Sequence, residues 1–175
     1  MKCWPITVLV VSLAVAPSIS IGQSAKRKNP AATTVTVPRP APEFLWASVN
    51  GKVRRLKDVR GQPVVLIFAT DPQQKEFRKQ IKNIDKVYRG FAQRNALFFV
   101  AFTKETGVIT GSNVPFVVLP DPLTTADAYR VGDFGIAVIG PDGNLDYATD
   151  RVIPGIKIIN VMDNSYAIQT QERQE

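Results

Sequence analysis

From residue 44 onward, apolar and polar positions alternate between two periods. Residues 44–48 (FLWAS) and 52–56 (KVRRL) are short, half-apolar runs around Val49-Asn50-Gly51, and Asn-Gly is the strongest two-residue hairpin signal. Residues 64–68 form a β-branched run without alternation, the pattern of a strand buried on both faces. Phe77, Ile81, Ile84, Tyr88 and Phe91 then recur at three- and four-residue steps, predicting one helix over about 73–93. A second buried strand follows at 96–103 and a third apolar run at 114–119, closed by Pro120-Asp121-Pro122. Residues 124–130 read as a short helix that Thr124 or Thr125 can cap. Residues 134–139 and 144–149 read as strands joined through the turn Gly140-Pro141-Asp142-Gly143. The spacing predicts a closing helix over 153–167, with Ile156, Ile159 and Val161 or Met162 inward. Strand, helix, strand, short helix, hairpin, helix is an α/β order: a central sheet, its first crossover parallel, with helices on both faces.

The first 42 residues have a different character. Lys2, the apolar run 6–16 bracketed by Pro5 and Pro17, and the small residues Ser18, Ser20, Gly22 and Ala25 have the layout of a cleaved export signal, whose apolar core is about 7–15 residues long. A membrane span needs roughly 20. The expected organisation is a signal peptide at 1–25, a basic, proline-rich linker at 26–42, a folded domain at 43–170 and a polar tail at 171–175. That places the mature protein outside the cytoplasm, secreted or periplasmic. Cys3 precedes the apolar core and would leave with the signal.

Composition narrows the chemistry. The 175 residues contain no His and one Cys, Cys3. Imidazole bases, His-bearing zinc sites, disulfide frameworks and CxxC couples are therefore excluded. No glycine-rich phosphate cradle and no calcium loop is present, and neither a metal nor a cofactor is expected. Asp121, Asp127, Asp133, Asp142, Asp146 and Asp150 read as turn formers and solvated charges, and Trp46 and Tyr129 as core or rim aromatics.

The formal net charge of +7 is unevenly spread. Residues 26–94 hold 16 Lys+Arg against 5 Asp+Glu, and residues 95–175 hold 5 against 10. The excess lies on the linker, on the first hairpin (Lys52, Arg54, Arg55, Lys57, Arg60) and on the long helix (Lys75, Arg78, Lys79, Lys82, Lys86, Arg89). The helical cations are either the solvated side of an amphipathic helix or a surface for an anionic polysaccharide or membrane. No aromatic platform interleaves them, so nucleic acid is not an expected partner.

The segment from Phe44 to Lys52, with Leu56, Asp58, Gly61, Pro63 and the run Val64-Val65-Leu66-Ile67-Phe68, resembles the opening of thioredoxin-like redoxins, the thiol-disulfide oxidoreductases and peroxiredoxins. Leu119-Pro120-Asp121-Pro122, Ala128-Tyr129-Arg130-Val131 and Ile139-Gly140-Pro141-Asp142-Gly143 resemble later landmarks of that family, in the family's order. The resemblance covers about residues 43–168. It implies a thioredoxin-like three-layer α/β fold, a central mixed β-sheet flanked by helices. Where such an enzyme carries Cys-Pro-x-Cys, this chain has Asp71-Pro72-Gln73-Gln74 after Thr70. The peroxiredoxin Pro-x-x-x-Thr-x-x-Cys pattern is missing too, and Phe134-Gly135 stands where the family has a cis-proline; Pro115 falls too early for that role.

A thiolate at a helix N-terminus is nucleophilic and dipole-stabilised, whereas a carboxylate at Asp71 keeps the anion and cannot form a mixed disulfide. Asp71 then reads as an N-cap with Pro72 in the first helical position. Residues 134–143, Ile158-Ile159-Asn160-Val161-Met162 and Glu172 also resemble a thioredoxin-like domain of unknown function found in bacterial secreted proteins and sushi-repeat matrix proteins; Asn160 departs from its usual Asp. That resemblance implies no catalytic residue. Three functions stay open: a redox-inactive binding or structural module with a protein partner, its degenerate site at Thr70, Asp71, Pro72, Gln73, Gln74, Phe134 and Gly135; a thiol oxidoreductase or peroxiredoxin-type antioxidant by descent; and a polyanion binder using the helical cations.

Overall fold

The computed structural model describes residues 39–48 and 50–165. The expected signal peptide with Cys3, residues 26–38 of the linker, Val49, the end of the closing helix and the tail at 171–175 lie outside the described residues. The hairpin forms as β1 (Leu45–Ala47) and β2 (Val53–Arg55), antiparallel. Its turn depends on Gly51, at φ +74°, where a side chain would be strained. A 3-10 turn (Leu56–Val59) leads into β3 (Val64–Ala69). Then come α1 (Lys75–Asp85), α2 (Tyr88–Gln93), β4 (Leu97–Phe102), β5 (Phe116–Val118), α3 (Pro122–Tyr129), β6 (Gly135–Ile139), β7 (Leu145–Thr149) and α4 (Gly155–Asp163). The main sheet runs β5-β4-β3-β6-β7. β4 is parallel to β3 and β5 to β4, whereas β6 is antiparallel to β3 and β7 to β6. The sheet is therefore mixed, with β3 at its centre.

The pleat of β3 divides the core. Val65, Ile67 and Ala69 join Phe98, Val100, Phe102, Ile136 and Val138 on the face covered by α1, α2 and α4. Val64, Leu66 and Phe68 join Phe99, Ala101, Ala137 and Ile139 on the face covered by the 3-10 turn, α3 and Phe44 just before β1. Both faces are dry, which is why these strands read as unbroken apolar runs. The result is three layers.

Four expectations are corrected. The helix expected over 73–93 begins only at Lys75 and breaks at Val87 (φ −125°, ψ 21°). The start of α4 presses there: a Cβ on Gly155 would run into the Asn83 carbonyl oxygen and lie 2.6 Å from Val87 Cγ2. The break keeps the apolar stripe on the sheet, since both Tyr88 and Phe91 pack on Phe98. α3 starts at Pro122, two residues earlier than expected, and neither Thr124 nor Thr125 caps it. Asp121 does so by accepting the Thr124 amide at 3.3 Å, with proline at the first helical position. In α4 the inward face is Gly155, Ile158, Ile159 and Met162, and Ile156 points outward at 53% exposure. Counting Gly155 as an inward residue restores the i, i+3, i+4, i+7 pattern that sequence periodicity missed. Finally, the last four residues of the expected linker belong to the fold. Leu145 N donates to Arg39 O (2.8 Å), Ala41 N to Gly143 O (3.0 Å) and Tyr129 Oη to Pro42 O (2.8 Å). This segment pairs with the exposed edge at Asn144–Leu145, where backbone groups need partners.

Candidate functional site

Residues 70–74 link the C-terminal end of β3 to α1. Thr70 is buried; its hydroxyl donates to Asp71 Oδ2 (2.8 Å) and its carbonyl accepts the amides of Lys104 and Glu105 (3.0 Å each). Asp71 Oδ1 accepts the Gln73 amide at 2.7 Å. Asp71 therefore closes an Asx turn one step before α1 and is not its N-cap; that position is Gln74, whose side chain does not cap. Pro72 correspondingly lies before the helix, within 3.1 Å of where a Gly107 Cβ would stand. The Thr70 hydroxyl, and after it the Gln73 amide, hold the Asp71 carboxyl below its ordinary value. Burial opposes them, and the Gln74 amide and the Lys104 charge assist. Asp71 is a fixed anion.

Gln74 joins the two halves of the expected site. Its Oε1 accepts the Thr70 amide (3.0 Å) and its Nε2 donates to the Asp133 carbonyl (3.2 Å), 59 positions along the chain. Phe134 and Gly135 do lie across from 70–74, but both are buried; Gly135 pairs with Phe68, and a Cβ there would strike Val131 Cγ1. Among the described residues no peptide bond is cis. Pro115 lies on the loop before β5, where it lines a shallow depression with Gly107 and Val114. Of the expected junction residues at 70–74, 134 and 135, only Gln73 is exposed. The polar groups of the junction are spent on one another.

Sequence reasoning missed Lys104 and Asp133, which form an ion pair at 3.2 Å beside the junction. With both side chains largely exposed, it contributes at most about 1 kcal/mol. Lys104 opens the long irregular crossover between the parallel strands β4 and β5, a connection that ordinarily carries a helix; the gap between the apolar runs 96–103 and 114–119 was the available signal. An open cleft of about 640 Å³ on the Lys104 side is lined by Thr103, Leu119, Pro120, Asp121 and Leu123. Another of about 580 Å³ on the Asp133 side is lined by Arg130, Val131, Phe134, Thr149 and Asp150. The six helical cations all stand exposed, on α1, at its C-cap Lys86 and on α2, outside both clefts.

One of the aspartates expected to be solvated is not. Asp146 on β7 is half-buried with Oδ2 shut off from water and without a hydrogen-bond partner, and both it and Asp142 crowd Gly140. Burial, then the Asp142 charge, pushes its carboxyl up to about 6. The folded chain thus holds this proton more tightly than the unfolded chain, where an aspartate titrates near ~3.9. Its stabilising effect is complete below about pH 4 and lost as pH rises through about 6. Asp146→Asn is expected to raise stability by about 1 kcal/mol at pH ~7.5, after allowance for solvent screening, and by nothing near pH ~4. Urea unfolding at both pH values checks this; an equal gain at both would contradict it.

Among the described residues, no group of three or more Cys, Asp or Glu is placed to hold a metal ion, and no helix is long and apolar enough to cross a membrane.

No family model and no curated protein sequence matches the chain. Solved structures do. A thiol:disulfide interchange protein of the thioredoxin family from Chlorobium tepidum is 17% identical, with a TM-score of 0.54 over 73% of this chain and 95% of that one. The reduced 2-Cys peroxiredoxin of Plasmodium vivax is 20% identical, with a TM-score of 0.54 over 78% and 98%. An exposed lipoprotein thioredoxin of Streptococcus pneumoniae is 19% identical, with a TM-score of 0.52 over 71% and 100%. At such identities the likeness establishes the fold, which is thioredoxin-like, as the sequence resemblance implied. The single cysteine is consistent with a degenerate site.

Proposed function

We propose that this chain is an exported thioredoxin-like domain that performs no thiol chemistry and serves as a binding or structural module. The observation that carries this reading is the fate of the two positions where the redoxin motif has its thiols. They hold Asp71 and Gln74, and each is committed to hydrogen bonds that fix the loop. A carboxylate and an amide cannot exchange disulfides or reduce a peroxide. A protein partner would engage the two open clefts flanking the Lys104–Asp133 pair, since the junction between them offers little free polarity. Export is supported by the charged start, the short apolar run 6–16 and the small residues after it; among the structural neighbours one is an exposed lipoprotein.

The test is insulin reduction and peroxide consumption by the purified processed chain. The expected rate equals that of the added reductant alone, and protein-dependent turnover would overturn the reading. The oxidoreductase alternative is favoured only by the fold shared with thiol enzymes. It needs a thiol from a partner or small molecule, so it predicts turnover that appears only when that thiol is supplied and disappears on Asp71→Ala.

A further inference from the structure

The cations of residues 75–89 form one row on the folded molecule. Lys75, Lys79, Lys82, Lys86 and Arg89 follow at steps of four and three residues, with Arg78 beside them, a spacing that keeps side chains on one side of a helix. All six are exposed, while Phe77, Gln80, Ile81 and Ile84 bury the opposite side. Lys75 to Lys86 lie along α1 and its C-cap, spanning roughly 16 Å at the helical rise per residue, and Arg89 follows beyond the break, on α2.

Two observations separate this row from an ordinary solvated face. Among the described residues its cations have no carboxylate at ion-pair distance, although Arg94, Lys104 and Arg151 are each paired, with Asp163, Asp133 and Asp150. α1 carries two acids: Glu76, exposed in its first turn and in no ion pair with the row, and Asp85, which accepts a hydrogen bond from the Ser112 hydroxyl at 3.0 Å. Moreover, Lys75 with Lys79, Arg78 with Lys82, and Lys82 with Lys86 place like charges four apart, which weakens a helix. A face needing only solvation is served as well by mixed signs.

We propose that the Lys75-to-Arg89 row is a docking surface for a linear polyanionic polysaccharide, a sulfated or uronate chain laid along α1 and α2. The large apolar side chains most exposed among the described residues, Leu45, Val53, Val108, Val118, Leu123 and Ile156, all lie off these helices. The row therefore offers charge without the apolar wedge of a membrane-surface helix. Tyr88, the aromatic nearest the row, is packed on Phe98 and gives no stacking platform for bases. The basic hairpin does not extend the row: it lies beyond the opposite face of the sheet, where Arg54 covers the Trp46 ring at 5.7 Å. This inference is independent of whether the chain does thiol chemistry.

The test is binding of the full chain to heparin, a linear sulfated probe, as a function of salt. The charge reversals Lys79→Glu, Lys82→Glu and Lys86→Glu together are expected to lower affinity about tenfold or more and to flatten the salt dependence. Reversal of Lys52, Arg54 and Lys57 to Glu changes net charge equally and is expected to cost less than about twofold, being on the other layer. Lys82→Gln with Lys86→Gln, which adds no new repulsion and relieves the like-charge pairs, should give an intermediate loss with a melting temperature no lower than the parent's. Equal losses from the two reversals, release at trivial salt, or binding to phosphatidylglycerol vesicles as tight as to heparin would each overturn the proposal.

Discussion

Gly155→Ala is expected to destabilise the protein by about 3 kcal/mol, the cost of overpacking a closed contact. Helix propensity argues the opposite sign, since alanine is favoured over glycine by up to about 1 kcal/mol in a helix. The contact decides. The added methyl would meet the Asn83 carbonyl oxygen and Val87 Cγ2, and a backbone atom inside α1 cannot turn aside. Gly90→Ala is the control on the same helix crossing. Its methyl would meet only the Ile159 Cδ1 end at 2.7 Å, a side-chain tip free to rotate, so the change is expected to stay within about 1 kcal/mol of neutral. Urea midpoints of the two variants settle the matter; a Gly155→Ala midpoint at or above the parent's would refute the close packing of α1 on α4.

Gln80→Ala is expected to cost a similar amount, about 3 kcal/mol. Gln80 is fully buried, and its Oε1 accepts the Ile153 amide at 2.9 Å across 73 positions of sequence. Truncation leaves both a cavity and an unpaired buried N–H. Asn83 supports the same segment by donating to the Ile153 carbonyl at 3.0 Å. Gln80→Met separates the two costs. It keeps the volume and removes the unpartnered Nε2, leaving only the orphaned amide, so about 1–2 kcal/mol is expected. Equal losses for Ala and Met would show that packing volume contributes nothing here. Because Gly155 and Gln80 hold the same α1–α4 seam, their combined effect should be smaller than the sum.

The candidate site was legible to different depths. The identities at Thr70 to Gln74 sufficed to show that no cysteine stands in this loop, because that is read directly from the residues. The role of Asp71 was half legible. Asp-Pro announces a turn, and the sequence alone does not distinguish an Asx turn before the helix from a cap upon it. The helix begins at Lys75 because Gln74 spends its side chain on Thr70 and Asp133. Asp146 is half-buried where the sequence suggests solvation, because the fold of the 140–146 hairpin, and not the order of its residues, turns this carboxylate onto Gly140 and Asp142. The helical cations are legible in the sequence, but that no described carboxylate pairs with them depends on where Asp133, Asp150 and Asp163 lie in space.

Local sequence by itself determined the order and type of the elements, the two-faced burial of β3 and β4, and the lack of cysteine at 70–74. Each of these is written in neighbouring side chains, whose period of two or 3.6 fixes which face is apolar. The tertiary structure alone decided where α1 breaks, which face of α4 turns inward, how Gln74 ties its loop to Asp133, and that residues 39–42 join the sheet edge. Those outcomes rest on close approaches and hydrogen bonds between residues about 59 to 106 positions apart, and no local window contains both partners.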